Sequence, residues 1–316
     1  MAMFKDSKVY IAGHTGLLGS ALIKKLSGFT NIIVRTHDEM DLTRQEKVDT
    51  FFKKERPEYV FLAAGLTGGI VANYTYPATF LHTNIAIQDN VFEAVFKYGV
   101  KRLVFYGSSC IYPKNCQQPI KEDYLLKGEL EETSEAYAIA KIAGVFACKA
   151  YNKQLKVNRF IALVPNSMYG PGDNFDLDNS HVLAALIRKF YDAKIYGKDK
   201  VVLWGSGDQK REFVFSEDVA NASIFAIENA DKLQNCHYNI GTGIDYSIRE
   251  LAEIIAGIVD FKGKIEWDKT KPDGVSRKLL DSEKFLNLGW KPTAGLEYGL
   301  RITCDWYLKK RCAEQK

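Results

Sequence analysis

The sequence predicts an α/β chain: a doubly wound parallel sheet followed by a smaller mixed α/β lobe. Three observations carry that expectation. Short apolar runs alternate with amphipathic stretches through the first part of the chain, the pattern of strand–helix–strand units whose helices cover both faces of one sheet. The first apolar run leads straight into a glycine-rich turn. Beyond about residue 165 the alternation gives way to a stretch rich in Pro, Gly and Asn, which marks a change of architecture.

Val9-Tyr10-Ile11-Ala12 is the first strand, and apolar residues recur at helical spacing over 17–26. Ile32-Ile33-Val34 is the second strand, with a helix expected near 44–54. Tyr59-Val60-Phe61-Leu62 is the third, followed by a helix near 78–97, and Leu103-Val104-Phe105-Tyr106 is the fourth. Right-handed crossovers then make the sheet parallel. A helix is expected over 135–152 and a fifth strand over 158–164, so that a first domain occupies 1–165. The remainder, 166–316, should form the smaller lobe, with segments near 213–242 returning to the first domain. Within it the sequence predicts a helix over 181–191, a strand at Val201-Val202-Leu203-Trp204, and helices over 216–230 and 248–259.

A chain of 316 residues can bury a large core in one or two domains. Its 46% hydrophobic and 26% charged residues are ordinary for a globular protein. The net charge of +4 comes from 43 basic and 39 acidic residues intermixed along the chain, which argues against a nucleic-acid partner. The first eight residues hold no apolar signal region, and no apolar run approaches about 18 residues, so a cytoplasmic location without a membrane partner is expected. Six cysteines without a Cys-x-x-Cys pair point to free thiols, most of them in the core, and to no metal.

Gly13-His14-Thr15-Gly16-Leu17-Leu18-Gly19 places G-x-x-G-x-x-G after the first strand and at the start of the first helix. Glycines let backbone amides approach a pyrophosphate, whose charge the helix N-terminus stabilises. A bound dinucleotide is expected here. At the end of the second strand, where an NAD-binding chain places an acidic residue for the ribose 2′-hydroxyl, this one reads Val34-Arg35-Thr36-His37. A cation there suits a 2′-phosphate, so Arg35, with His37 in reserve, predicts NADP(H).

Tyr137-Ala138-Ile139-Ala140-Lys141 sets a phenol and an ammonium one helical turn apart. A free tyrosine titrates near pH ~10, and the cation is expected to bring it into a usable range. Gly107-Ser108-Ser109-Cys110-Ile111-Tyr112-Pro113 follows the fourth strand, where a hydroxyl can meet that tyrosine across a bound carbonyl.

These segments resemble the extended short-chain dehydrogenase/reductases. Others narrow the resemblance: Gly68-Gly69-Ile70-Val71-Ala72-Asn73, Asp173-Asn174-Phe175, Asn179-Ser180-His181-Val182, Trp204-Gly205-Ser206-Gly207, Arg211-Glu212-Phe213 and Lys271-Pro272-Asp273-Gly274. With them the chain is similar, from the Gly13 loop to about Trp306, to the GDP-L-fucose synthase family. These are NADPH-dependent epimerase-reductases of GDP-4-keto-6-deoxy-mannose.

The resemblance implies a Rossmann domain and a reducing triad of Ser108, Tyr137 and Lys141, in which Tyr137 protonates the C-4 oxygen. It implies that Cys110 and His181 form the acid–base pair for epimerisation at C-3 and C-5. For the cofactor it points to Gly13, Thr15, Gly16, Leu17, Leu18, Gly19, Arg35, Asp41, Leu42, Ala63, Ala64 and Asn84, together with Tyr137, Lys141 and His181. Thr15 departs from relatives that carry a basic residue there, which leaves the 2′-phosphate to Arg35. For the GDP-sugar it points to Ser109, Asn166, Lys189, Trp204, Arg211, Asp273 and Lys278. A homodimer through helices at 86–97 and 135–151 is also implied.

Dehydratases of similar fold place an acidic pair where Ser109-Cys110 stands, so expulsion of a 6-hydroxyl is not expected. UDP-hexose 4-epimerases lack the Asn179-Ser180-His181 segment. Two alternatives stay open: a C-4 reductase without epimerase activity, acting on a related sugar such as a GDP-6-deoxy-4-keto-heptose, and a non-catalytic NADPH-binding regulator. One carbon of substrate length is worth only about 1–3 kcal/mol of discrimination, and an intact triad argues against the regulator.

Overall fold

The computed structural model describes residues 5–28, 31–177, 180–271 and 273–314. Asn179 and Pro272, part of two of the quoted motifs, lie outside the described residues, as do the first four residues. From the N-terminus the chain runs β1 (Lys8–Ala12), α1 (Leu17–Leu26), β2 (Asn31–Ile33), α2 (Gln45–Glu55), β3 (Tyr59–Leu62), α3 (Ile70–Thr75), α4 (Pro77–Lys97), β4 (Arg102–Tyr106), α5 (Glu135–Leu155) and β5 (Phe160–Pro165). It continues through β6 (Ser167–Tyr169), α6 (Val182–Ile195), β7 (Lys200–Trp204), β8 (Lys210–Phe215), α7 (Ser216–Glu228), β9 (His237–Ile240), β10 (Asp245–Ser247) and α8 (Ile248–Val259). Last come β11 (Lys264–Asp268), β12 (Arg277–Lys278), α9 (Glu283–Leu286) and α10 (Leu296–Glu314).

Six parallel strands form the main sheet in the order β2-β1-β3-β4-β5-β9. The central strands β1, β3, β4 and β5 are buried along both faces, which is why they read as unbroken apolar runs. Successive residues point to opposite sides. Val9, Ile11, Phe61, Val104 and Leu163 pack with the apolar faces of α1 and α7, whereas Tyr10, Val60, Leu62, Leu103 and Phe105 pack with α2, α4 and α5. The expected doubly wound architecture is the one observed.

Local chemistry sets the ends of these elements. Pro77 opens α4, where its missing N–H costs nothing. Ser247 and Glu250 close a capping box on α8. Near the C-terminus of α5 the Asn152 side chain donates to the Phe160 carbonyl at 2.7 Å and accepts from the Arg159 and Phe160 amides at 2.9 Å, which seats the start of β5 on that helix.

The smaller lobe holds two further sheets. In one, β8 lies antiparallel to β10 and parallel to β12 and β6; in the other, β7 pairs with β11 in parallel. A third core, built on α6, α8 and α10, fills the lobe. Several of these elements, among them α3, β6, β8, β10 to β12, α9 and α10, lie beyond the alternation seen in the sequence. The helix expected over 181–191 starts one residue later and runs on to Ile195.

The cysteines correct an expectation. All six are free, but only Cys148 and Cys304 are buried; Cys110, Cys116 and Cys236 are half-buried and Cys312 is exposed. The two buried ones sit on inward helix faces, and the three half-buried ones lie on connections between elements. Among the described residues no helix is long and apolar enough to cross a membrane, and no group of three or more His, Cys, Asp or Glu is placed to hold a metal ion.

Candidate active site

The C-terminal ends of β1, β3, β4 and β5 bring four connections to one edge of the sheet, where ligands of doubly wound folds bind. The first is the Gly13–Gly19 loop. Gly13 has φ +79°, and a Cβ there would come within 2.7 Å of the Ala63 oxygen and the Ala64 nitrogen. A Cβ on Gly19 would lie 2.0 Å from the Gly13 oxygen. Bare backbone is thus required for the loop to press on the end of β3, and it sets Ala63 and Ala64 beside the loop. Gly16 precedes α1 without a side-chain cap, and the first turn of α1 holds no acidic residue. That leaves an uncapped helix N-terminus for an anion, and the cradle fits a pyrophosphate. Gly172, at φ +86°, brings the segment after β6 against the same turn: its Cβ would meet the Ser20 hydroxyl at 2.9 Å.

At the end of β2 the Arg35 guanidinium donates to the Glu55 carboxylate at 2.8 Å and to the Val34 carbonyl at 2.7 Å, and lies 5.4 Å from the centre of the Phe51 ring. It is therefore a held cation at the loop edge. Asp41 accepts from the amide and hydroxyl of Thr43, and Leu42 is buried with its carbonyl bonded to Asn90. His37 is exposed. Asn84, buried on α4, binds both the amide and the carbonyl of Leu66, and so orders the connection after β3 next to Lys141.

The groups expected to react gather where β4 ends. The Gly107 amide bonds the Leu163 carbonyl at 2.8 Å, carrying the β4–β5 ladder up to Ser108. Ser108 caps a single 3-10 turn over Ser109–Ile111 that contains Cys110. From α5 the Tyr137 phenol comes beside the Ser108 side chain, whose hydroxyl acts to lower its pKa. Lys141 is buried, donates to the Tyr106 carbonyl at 3.0 Å, and stands 5.7 Å from the centre of the Tyr137 ring.

Burial dominates the electrostatics of this cluster. It pushes the Tyr137 phenol well above its ordinary range, with Cys110 adding to the rise and the Ser108 hydrogen bond opposing it. The expected lowering by the neighbouring ammonium does not occur: desolvation of the phenolate dominates, and Lys141 is not among the groups that shift the phenol. Burial lowers Lys141 to about 8, with Cys110 opposing. It raises the Cys110 thiol, against which the charges of Lys278 and Lys141 and the Ser108 hydrogen bond act.

The lobe contributes the opposite wall. His181 flanks the start of α6 with no side-chain capping bond; its ring is exposed at the surface yet crowded by protein, and desolvation lowers its pKa. In the loop before it, burial pushes Asp173 up to about 7. Arg211 and Lys278 face one another in the β8–β12 register, both are half-buried, and desolvation disfavours both charges. Arg211 makes no ion pair with Glu212 or Asp218, and no carboxylate pairs with it among the described residues.

Glu212 is fully buried and turned elsewhere: it accepts from Asn166 Nδ2 at 2.5 Å, from the Thr242 and Gly243 amides at 2.7 Å, and from the Leu280 amide at 3.0 Å. Asp218 instead receives Thr293 and Ala294. The hub at Glu212 is absent from the sequence reading, although a carboxylate next to a run of apolar strand residues was a signal for it.

Trp204 is 61% exposed, not a core aromatic, with Lys189 and Lys271 at 5.7 and 5.5 Å from its ring. Asp273 accepts from the Ser206 amide at 2.7 Å, and Ser109 and Asn166 are buried. A cavity of about 340 Å³ lined by Lys114, Cys116, Gln118, Glu131 and Arg277 opens between the connection after β4 and the segment leading into β12.

The comparisons with known proteins bear on this arrangement. Residues 9–241 match the model of the NAD dependent epimerase/dehydratase family. The chain is 51% identical over 310 residues to GDP-L-fucose synthase 1 of Arabidopsis thaliana, covering 98% of this chain and 95% of that one. It is 46% identical over 313 residues to GDP-L-fucose synthase of Escherichia coli (strain K12), covering 96% and 97%. Among solved structures, a GDP-mannoheptose C4 reductase from Campylobacter jejuni with NADP bound superposes with a TM-score of 0.89 at 42% identity, covering 96% of this chain and 98% of that one.

Proposed function

We propose, for a chain that belongs to the NAD dependent epimerase/dehydratase family and within it to the GDP-L-fucose synthases, two reactions at one site. They are epimerisation at C-3 and C-5 of a GDP-4-keto-6-deoxy-mannose, and NADPH-dependent reduction at C-4. The observation that carries this reading is the convergence of Ser108, Cys110, Tyr137 and Lys141 at the end of β4, facing Arg211 and Lys278, two cations that no carboxylate pairs with among the described residues.

The 4-keto group acidifies the hydrogens on C-3 and C-5. Cys110 sulfur takes a proton from one face of the sugar ring, and His181 returns one from the other, inverting each centre in turn. Tyr137, kept protonated by burial, then gives its proton to the C-4 oxygen, which the Ser108 hydroxyl holds in place. The Lys141 ammonium stabilises the phenolate left behind. When bound, the dinucleotide supplies the hydride to C-4. The Gly13–Gly19 loop takes its pyrophosphate, Arg35 its 2′-phosphate, and Lys141 its ribose, so that one lysine orients both cofactor and proton donor.

Arg211 suits the GDP diphosphate, since its fork matches two phosphate oxygens and no carboxylate among the described residues competes for it. Trp204, exposed and flanked by lysines, offers a face for the base. Lys278, Ser109, Asn166 and Asp273 line the remaining contacts. We assign a cytoplasmic homodimer, in which α4 and α5 pack against their copies through Ile85, Phe96, Ile139 and Phe146, all exposed.

Turnover of GDP-4-keto-6-deoxy-mannose with NADPH in heavy water tests the function. Carbon-bound deuterium is expected at both C-3 and C-5 of the product, and Cys110→Ser should lower that incorporation by on the order of 10²-fold or more while sparing reduction of a pre-epimerised sugar. The likeness to the heptose C4 reductase favours a second reading, reduction of a GDP-4-keto-heptose without exchange. Turnover free of deuterium, or turnover of heptose substrates alone, would select it.

A further inference from the structure

Cys110 and Ser108 are two residues apart yet are anchored by different parts of the molecule. Ser108 continues from the β4–β5 ladder through the Gly107 amide. Cys110 rides beyond it on one 3-10 turn, held at its near end by the Ile111 amide on the Ser108 carbonyl at 3.1 Å and by a long 3.5 Å bond from the Cys110 amide to Ser108 Oγ. The far end of that turn is Tyr112, buried at 3% exposure.

The Tyr112 hydroxyl donates to Asn239 Oδ1 at 2.5 Å, and His237 Nε2 lies 3.1 Å from the same hydroxyl. Asn239 is fully buried and uses its whole side chain: Nδ2 donates to the Ile120 carbonyl at 2.9 Å and to the Asp281 carbonyl at 3.0 Å. Its amide bonds Glu122 Oε1 at 3.1 Å. Ile120 and Leu280 form a parallel bridge, closed by the Ile120 amide on the Leu279 carbonyl and the Asp281 amide on the Ile120 carbonyl, both at 2.8 Å. The bridged segment is the one that carries Lys278, and its Leu280 amide is tied in turn to Glu212. One phenolic hydroxyl therefore connects the turn bearing Cys110 to the strand bearing Lys278.

We infer that Tyr112 is a positioning residue for the C-3/C-5 exchange: through Asn239 it fixes Cys110 relative to Lys278, while Ser108 keeps its place without it. The inference rests on the reading of Cys110 as the exchange base. Lys278 is the charge that most favours the thiolate of Cys110, and burial holds His237 neutral, its pKa lowered to about 3, so no competing cation sits at the hydroxyl. A reacting group displaced by about 1 Å loses on the order of 10²-fold in rate, and Tyr112 closes the far end of the turn that carries it. Loss of general stability would lower both reactions together; loss of this link lowers one.

The test uses Tyr112→Phe in the full chain, with Asn239→Ser withdrawing the same bond from its other end. Three quantities are measured on whichever variant melts cooperatively and binds NADPH: deuterium exchange into the ketosugar, NADPH oxidation with a pre-epimerised ketosugar, and the pH dependence of Cys110 alkylation by iodoacetamide, read on its peptide. The expected result is a loss of exchange at least tenfold greater than any loss of reduction, with the alkylation midpoint moved upward as Lys278 ceases to act on the thiol. Equal losses in the two reactions, or exchange and alkylation both unchanged, overturn the inference. Cys110→Ser separates it from the reading beneath it: if that variant still exchanges, Cys110 is not the base and the premise fails, whatever Tyr112 does.

Discussion

Burial moves Lys141 and Cys110 in opposite directions, and the two steps of the proposed reaction should therefore part company with pH. Lys141 is charged only below about 8, and in the proposed mechanism its charge stabilises the phenolate that Tyr137 leaves behind. Reduction of a pre-epimerised sugar is expected to fall as pH rises through about 8. The Cys110 thiol is raised, so its thiolate is scarce at neutrality and grows about tenfold per pH unit below its pKa. Exchange needs that thiolate together with a protonated His181, whose pKa desolvation lowers, so the gain in one offsets the loss of the other and exchange should hold level over the interval in which reduction declines. Parallel profiles for the two rates between pH 6.5 and 9.5 would contradict this assignment of roles. The glycine loop and the Tyr137–Lys141 pair were legible in the sequence because their spacing is local. Glu212 was not, since its partners stand at 166, 242, 243 and 280, and the direction of the Tyr137 shift was misjudged because a sequence shows a neighbouring charge but not its desolvation.

Among elements, α4 and α5 meet at Gly144, where a Cβ would come within 2.3 Å of the Phe105 ring and 2.7 Å of Gln88 Oε1. Gln88 has no room to yield, as its amide donates to the Ala140 carbonyl at 2.8 Å. Gly144→Ala is expected to cost about 1–3 kcal/mol through overpacking, outweighing the gain in helix propensity, and a denaturant melt would show it as an earlier midpoint with an unchanged slope. The long amphipathic helices and the buried strands could be read from periodicity within a few residues of their ends. β6, β10 and β12 are two or three residues long, too short for a period to register. β9 carries buried His237 and Asn239 among its four residues, so its burial is hidden behind polar side chains. In α10 the inward stripe of Leu300, Cys304 and Tyr307 is interrupted by Gly299 and Thr303, which obscures it.

For the molecule as a whole, the apolar residues exposed on α4 and α5 recur at whole helical turns, Ile85 with Phe96 and Ile139 with Phe146. Patches of this kind mark association, and Phe146→Glu is expected to convert a dimer to a monomer of 35.7 kDa in sedimentation equilibrium. A wild-type chain that sediments as a monomer would remove the homodimer from the proposal. The main sheet also draws its sixth strand from late in the chain: β9 pairs with β5 only after some seventy residues, α7 among them, have intervened. During vectorial synthesis the nascent chain therefore passes through a stage in which β5 is finished but its outer edge has no neighbour, and such an edge invites intermolecular pairing. Chaperone demand should peak in that interval and end when residue 240 clears the ribosome, so the fold's own wiring sets the point in translation at which this protein is most prone to aggregate.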